Sequence, residues 1–308
     1  MRPIRFALLP LVASFAACVF PGHGTEEGSG LGESPYVPLP DPEPETLGFF
    51  LTRYSNSIKQ WHELKLTAEQ SPELRRLHAV EKSLQKRASE RLEDLLDVMQ
   101  GNSIANRQTA AMALGFSGDE RAMGPLLEAL SDKNPQVVQN ALTGLGLLGR
   151  GDTPTEPLTG LLSNHPDAWI RNNAAFALQC IVSGREDRTM DADLASECRS
   201  ALIDEEPGVR AQCASVLGIL RDPNAVQPLG DLLYDEVNLV SAAAATSLSH
   251  IGQHQLKAKG PVARELVSAL ERLDATRRNV ILRELVLLSD RNYGEETEEW
   301  LEWAQKLP

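Results

Sequence analysis

Apolar residues recur along most of this chain at steps of three and four, the spacing that places them on one helix face. Leu47, Phe50, Tyr54, Ile58, Trp61 and Leu64 keep that step and predict a first helix. Ser71 then offers an N-cap with Pro72 at the first helical position. Leu74, Leu77, Val80, Leu84, Ala88, Leu92, Leu95 and Met99 continue as a single stripe. The stripe predicts one helix of about 26 residues, roughly 40 Å long. This N-terminal pair has two readings: a cap over the core of the helices beyond it, or a docking arm with Phe50, Tyr54 and Trp61 as anchors.

From about Ser103 to Asp290 the pattern repeats. A nine-residue element, Arg107–Gly115, recurs at Val138–Gly146, Arg171–Gln179, Arg210–Gly218 and Ser241–Ser249, at spacings of 31, 33, 39 and 31. Its fourth position is small (Ala110, Ala141, Ala174, Cys213, Ala244), which permits close helix approach. Its eighth is leucine (Leu114, Leu145, Leu178, Leu217, Leu248), which fills the core behind. Gly115, Gly146 and Gly218 are expected to loosen or end the helix before a turn. A second element comes next, Pro-Leu-x-x-(Ala/Leu)-Leu, at Pro125–Leu130, Pro157–Leu162 and Pro228–Leu233, with Asp132, Asn164 or Asp235 two residues beyond. The interval of 39 reflects extra residues around Ser183–Arg188, a charged loop on one edge. One such hairpin cannot bury its apolar face alone, so several must stack.

The run Val209–Leu233, with Leu217-Gly218, Asp222-Pro223-Asn224-Ala225-Val226 and the Pro-Leu helix, resembles a HEAT repeat of the short, phycobilisome-lyase type. Ala110–Leu130 is a second good match. The resemblance implies an all-α fold, a right-handed α-solenoid of stacked HEAT-like hairpins with the N-terminal helical pair as cap. Such families span scaffolds, assembly factors and a few chromophore lyases, so function must be argued from sites. The resemblance also implies that the second helices line the concave face. Their outward positions, Leu127, Thr159, Arg199, Gly230 and then Glu128, Gly160, Ser200, Asp231, share no common chemistry. An individual protein surface is the better expectation than a repeating polymer. After Gly252 the signature fades. Val262, Leu266, Leu270 and Leu273 predict one more helix and Val280, Ile281, Leu285 and Leu288 another, as befits the end of an open stack. Glu295, Glu296, Glu298 and Glu299 open a last short helix that ends near Lys306 and docks through Trp300 and Trp303.

The N-terminus reads as a processing signal. Arg2 and Arg5 precede the apolar stretch Phe6–Phe15 and the small pair Ala16-Ala17, a run too short to span a bilayer. Phe15-Ala16-Ala17-Cys18 resembles a bacterial lipobox, with Phe15 where leucine is usual. The resemblance implies cleavage before Cys18, a lipid on its thiol, and an outer-membrane or surface destination, since Val19 is not aspartate. An ordinary cleavage site ending at Ala16 is the other reading. The expected organisation is a signal peptide over 1–17, a disordered Pro/Gly-rich tether over 18–45, a helical hairpin over 46–100, repeats over 101–291 and a capping helix over 292–308.

Composition narrows the function classes. A formal net charge of −13 without a sustained basic face opposes nucleic acid as a partner. No nucleophile elbow, phosphate loop or zinc-protease motif is present. Cys213 holds the small core position, Cys198 aligns with Leu126, Leu158 and Leu229, and Cys180 aligns with Phe116, Leu147 and Ile219. Buried thiols are the first reading of these three, and a disulfide such as Cys180–Cys198 is the second. His250 and His254 share a spacing that metals use, but solvated surface histidines describe them better. The turn acids Asp119, Asp132, Asp204, Asp222 and Asp235 are expected to satisfy backbone amides. These readings lead to an exported, lipid-anchored, non-enzymatic protein-binding scaffold or assembly factor with no cofactor, metal or catalytic residue. Cys18 is the lipid site, and Glu128, Arg185, Arg188, Arg199 and Asp231 are the candidate partner-binding residues. The alternative is a lyase-like enzyme or ligand carrier that uses a cysteine of the array.

Overall fold

The computed structural model describes residues 45–68, 70–187 and 190–308. The processing signal, Cys18, nearly all of the tether, and Arg188 lie outside the described residues. Within them the chain forms fifteen α-helices and no strand. The N-terminal unit contains α1 (Leu47–Thr67), α2 (Ser71–Glu90) and α3 (Leu92–Met99). Paired helices come after it: α4 (Ile104–Ser117) with α5 (Met123–Glu128), α6 (Pro135–Leu148) with α7 (Glu156–Asn164), and α8 (Ala168–Ser183) with α9 (Ala192–Ser200). Next are α10 (Pro207–Leu220) with α11 (Val226–Leu232), α12 (Asn238–His254) with α13 (Lys259–Leu270), then α14 (Ala275–Ser289) and α15 (Thr297–Gln305). The first helices pack serially, α4 on α6, α6 on α8, α8 on α10, α10 on α12 and α12 on α14, while the second helices make the other layer. This is a repeat solenoid, as the periodicity predicts.

The repeat positions do what their chemistry requires. All five small residues at the fourth position and all five leucines at the eighth are fully buried. Each such leucine contributes about 1.5–3 kcal/mol relative to exposure. The three glycines, however, sit inside their helices instead of ending them. A Cβ on Gly115 would lie 2.5 Å from the Gly144 Cα, and one on Gly146 would lie 2.6 Å from the Phe176 ring. They are therefore points of close helix contact. The helix ends fall later, at residues in the left-handed region: Gly118 (φ 68°), Gly149 (φ 57°) and Arg221 (φ 57°).

The long second helix breaks once. Arg91 (φ −119°, ψ 24°) separates α2 from α3. Its guanidinium leans over Phe50 at 5.5 Å, hydrogen-bonds the Glu45 carbonyl, and pairs with Asp94 at 2.6 Å. Those contacts tie the break to the start of α1. Helix α2 begins at Ser71 itself with Gln70 as cap, one residue earlier than the Ser-Pro signal suggests. Leu74 is exposed, so the buried stripe starts at Leu77. Phe50, Tyr54 and Trp61 are buried: the Tyr54 hydroxyl donates to the Leu84 carbonyl, and Trp61 meets the Phe116 ring edge-on at 5.3 Å. They serve as cap residues and are not available as docking anchors. At the other end Trp300 is fully buried, stacks edge-on against Tyr293 at 5.0 Å, and donates its Nε1–H to the Gly294 carbonyl. No helix among the described residues is long and apolar enough to cross a membrane.

Candidate interaction surface

One edge of the stack is built by a repeated clasp. Arg107, Arg171 and Arg210, each the first residue of the repeating element, reach an aspartate in the following turn. Arg107 Nε lies 2.8 Å from Asp132, Arg171 Nε 2.7 Å from Asp204, and Arg210 Nε 2.8 Å from Asp235. A second nitrogen completes a two-pronged contact each time, the fork geometry that arginine offers a carboxylate. The remaining Nη1 donates to the carbonyl six residues earlier, at Gly101, His165 and Asp204. The aspartates also accept the amides of Asn134, Glu206 and Val237, which start the next helices. The turn-acid expectation holds, and Asp119 and Asp222 likewise accept the amides of Arg121 and Asn224. The arginines were the missed half of this arrangement. Their signal was legible: three copies begin with Arg, and an Asp stands 25 residues after two of them.

Electrostatics follow from the clasp. The hydrogen bond from Arg107 is the main reason the Asp132 carboxyl sits below its ordinary value of 3.8. For Asp204, burial alone would raise the value, but Arg171 and the Glu206 amide outweigh it and the net shift is downward.

Apolar side chains stand exposed along the same edge. Trp169 (61% exposed) lies in the first turn of α8, two residues before Arg171, and Ile203 (90% exposed) immediately precedes its partner Asp204. Tyr234 (40% exposed) precedes Asp235, with Arg272 over its ring at 5.9 Å. The positions equivalent to Ile203 and Tyr234 in the first two repeats are Ser131 and Ser163. Apolar exposure beside the aspartate thus belongs to the later repeats, while the first repeat exposes Ile104 (45%) at the start of α4.

The sequence-predicted site residues are scattered. Glu128 is exposed at the end of α5, where Gln100 donates to it at 3.5 Å. Arg199 binds Asp222, a nearly inaccessible carboxylate that also caps the turn at Pro223–Ala225, so its role is structural. Asp231 is exposed on α11 and accepts from Gln227. Burial first, and then the Asp231 charge, push the neighbouring Glu265 carboxyl above its ordinary value. Among the described residues, no hydrogen bond or ion pair joins any two of Glu128, Arg185, Arg199 and Asp231.

Arg185 sits in an open cleft of about 980 Å³ lined by residues 149–156, 184–187 and Asp191. The two loops touch through backbone: a Cβ on Gly184 would lie 2.0 Å from the Gly149 carbonyl oxygen. Arg185 pairs with Asp191 at 3.1 Å, and Arg150 pairs with Asp152 through two bonds of 2.8 and 3.0 Å. Both cations are committed within the cleft, leaving Glu156, Glu186 and Asp187 as its exposed charges. The charged loop is therefore acidic in character over its described residues.

The thiols are free: Cys198 and Cys213 are fully buried and Cys180 is half-buried. Burial pushes Cys180 up to about 12, only slightly offset by the Lys65 charge. His250 is half-buried with Nδ1 at 2.8 Å from the Gly218 carbonyl, so it is not a solvated residue as the sequence suggests, while His254 packs on its ring at 4.4 Å. Among the described residues no group of three or more His, Cys, Asp or Glu could hold a metal.

A family profile described as HEAT repeats matches residues 92–179, 155–249 and 194–286. No curated protein matches the chain. Solved structures similar to it include a designed armadillo repeat protein, with 16% identity, TM-score 0.49, and coverage of 63% of this chain and 98% of that one. Another is the CpcE–CpcF complex of phycocyanin lyase from Nostoc sp. PCC7120, with 18% identity, TM-score 0.43, and coverage of 70% and 93%. A third is an archaeal HEAT-like repeats protein from Thermococcus onnurineus NA1, with 16% identity, TM-score 0.47, and coverage of 68% and 93%.

Proposed function

Because the chain belongs to the HEAT-repeat family, we propose that it is an exported, membrane-anchored, non-enzymatic scaffold that binds a protein partner at the cell envelope. The observation that carries the binding role is the set of exposed side chains Trp169, Ile203 and Tyr234, apolar residues within two positions of a clasped arginine or aspartate. Aromatic and aliphatic side chains held this way lose little entropy when a partner covers them. Export and anchoring rest on the N-terminal pattern of Arg2, Arg5, the apolar stretch and Cys18. The neighbouring carboxylates Asp231 on α11 and Glu265 on α13 supply a second contact zone that favours a basic partner segment.

A photo-crosslinking residue placed at Ile203 or at Asp231 in the native host tests this reading. A discrete adduct from either position, weakened by Trp169→Asp or Asp231→Lys, is expected. Absence of any adduct from both positions removes the scaffold role. Fractionation of a Cys18→Ser variant tests the anchor, since loss of membrane association is expected.

The second reading, a cysteine used as attachment or transfer residue, is favoured only by the partial exposure of Cys180. A thiol raised to about 12 is scarcely ionised at neutral pH, which makes it a poor nucleophile. Alkylation of Cys180 in the folded protein at a rate near that of a free thiol would revive this reading.

A further inference from the structure

One repeat departs from the others in a pair of core residues. A buried leucine on the second helix precedes the small residue of the next first helix by a fixed interval: Leu126 and Ala141, Leu158 and Ala174, Leu229 and Ala244, at 15, 16 and 15 residues. The fourth such pair, also 15 apart, is Cys198 and Cys213. Both members change together, and in one repeat alone. Helices α9 and α10 pack directly, both cysteines are fully buried, and Cys198 is the first influence that raises the Cys213 thiol. Core filling would be served by leucine and alanine, as in the other three pairs. The feature that two cysteines add is the capacity to join.

We propose that Cys198 and Cys213 form an intramolecular disulfide in the exported protein, linking α9 to α10. The pairing differs from the Cys180–Cys198 bridge that the sequence suggests, because α8 presents Cys180 half-exposed while Cys198 meets Cys213. The inference rests on the export reading, since such bonds persist in oxidising compartments. The oxidant is a disulfide donor of the thiol–disulfide oxidoreductase class. One protein thiolate attacks the donor disulfide, giving a mixed disulfide and releasing one donor thiol. The second protein thiol, on losing its proton, attacks the mixed disulfide and expels the other donor thiol. Two electrons and two protons pass to the donor, and one S–S bond forms in the chain.

The timing follows from burial. The neighbouring Cys198 and then desolvation hold the Cys213 thiol well above its ordinary value, and neither sulfur is reachable in the folded stack. Exchange therefore occurs before α9 closes on α10. Helix α9 comes after the longest connection inside any hairpin of the array, residues 184–191, so the bond anchors the second helix that lies farthest along the chain from its partner. The loop it closes, from 198 to 213, is short enough that reduction is expected to lower the melting temperature by roughly 5–10 °C.

The test uses the full chain purified from the host envelope, acid-quenched, alkylated in denaturant without reductant, and peptide-mapped by mass spectrometry. A linked peptide pair containing Cys198 and Cys213, lighter by two hydrogens, with Cys180 alkylated, is expected. Alkylation of both Cys198 and Cys213 in a chain whose signal has been removed overturns the inference and leaves the proposed function intact. An uncleaved, fully reduced chain instead overturns export. In that case refolding the purified chain in oxidised and reduced glutathione decides the pairing: a Cys198–Cys213 bond supports it, and bonds shared with Cys180 or stable glutathione adducts overturn it. The double variant Cys198→Leu with Cys213→Ala rebuilds the pair used by the other repeats. It should fold and melt at a temperature insensitive to reductant, whereas Cys180→Ser should retain the linked peptide.

Discussion

Among the first four repeats, three carry the arginine–aspartate clasp and one does not. Where Arg107, Arg171 and Arg210 stand in the clasped repeats, the other has Val138, and where the aspartate would stand it has Asn164. Both partners are replaced together, so no lone charge is left behind. Val138 is buried, and the Asn164 amide donates to the Gly160 carbonyl. Helix α6 still packs on α4 and α8. Stacking itself therefore does not need the clasp. Its work is local: one arginine holds the turn before its helix and the turn after its partner helix in a fixed relation. Two charges withdrawn from water repay their desolvation only when geometry and extra hydrogen bonds are good, and here each clasp supplies both.

The largest expected effect breaks one clasp unevenly. Arg210→Ala strips the buried Asp235 carboxylate of its two-pronged partner, leaving Arg277 only on the Asp235 backbone carbonyl, and should cost about 3 kcal/mol in urea unfolding. The paired change Arg210→Val with Asp235→Asn copies the unclasped repeat and should cost less than about 1 kcal/mol. If the single and double variants unfold alike, the clasp is ornament and the contrast between the repeats fails.

Next in size is a change at the seam between the clasped first repeat and the unclasped second. Gly115→Ala places a methyl 2.5 Å from the Gly144 backbone, which cannot swing aside as a side chain would. A cost of about 2 kcal/mol is expected from overpacking. Gly160 has nothing within 4 Å of its added methyl, so Gly160→Ala serves as the control and should be neutral or stabilising by roughly 0.5–1 kcal/mol. Thermal melts of the two variants separate close approach from helix propensity.

These two experiments bear on how much could be read from residues alone. The period, the buried fourth and eighth positions and the terminal docking by Trp300 were legible, because each is a statement about apolar spacing. The role of Gly115 was not, since a glycine near a turn and a glycine under a neighbouring helix look alike in one dimension. Ile203 and Trp169 are hidden in the sequence because apolar residues in a helical pattern read as core, and exposure depends on which helix covers them. Arg199 reads as a surface charge for the same reason: Asp222, which holds it, lies 23 residues away in the turn after α10. Long-range pairing is the information that spacing omits.

Acid titration sharpens the clasp comparison with a smaller effect. Asp132 and Asp204 are held below 3.8 in the fold, so the unfolded chain binds protons first as pH falls. Their contribution is full above about pH 4 and is lost as pH drops through the lower folded values. The Arg107→Ala variant should flatten the stability curve in that acidic window relative to the parent, while Val138→Ala, in the unclasped repeat, should shift the curve without changing its shape. Equal slopes for all three proteins would remove the clasp as the origin of the Asp132 shift.

The smallest expected effect concerns how the helices end. Gly118 and Gly149 close α4 and α6 in the left-handed region at no steric cost, but α10 closes on Arg221 at φ 57°. A side chain there crowds its own carbonyl by about 1 kcal/mol. The Arg221 Nε, buried without a hydrogen-bond partner, does nothing to offset that strain. Arg221→Gly should therefore raise stability by roughly 0.5–1 kcal/mol, the gain from relieved strain being trimmed by the freer unfolded chain. A loss of stability on that substitution would mean that the arginine stem, packed beside α10, supplies more than its backbone strain removes. The ending of α10 would then be held by side-chain burial, unlike the glycine-closed repeats before it.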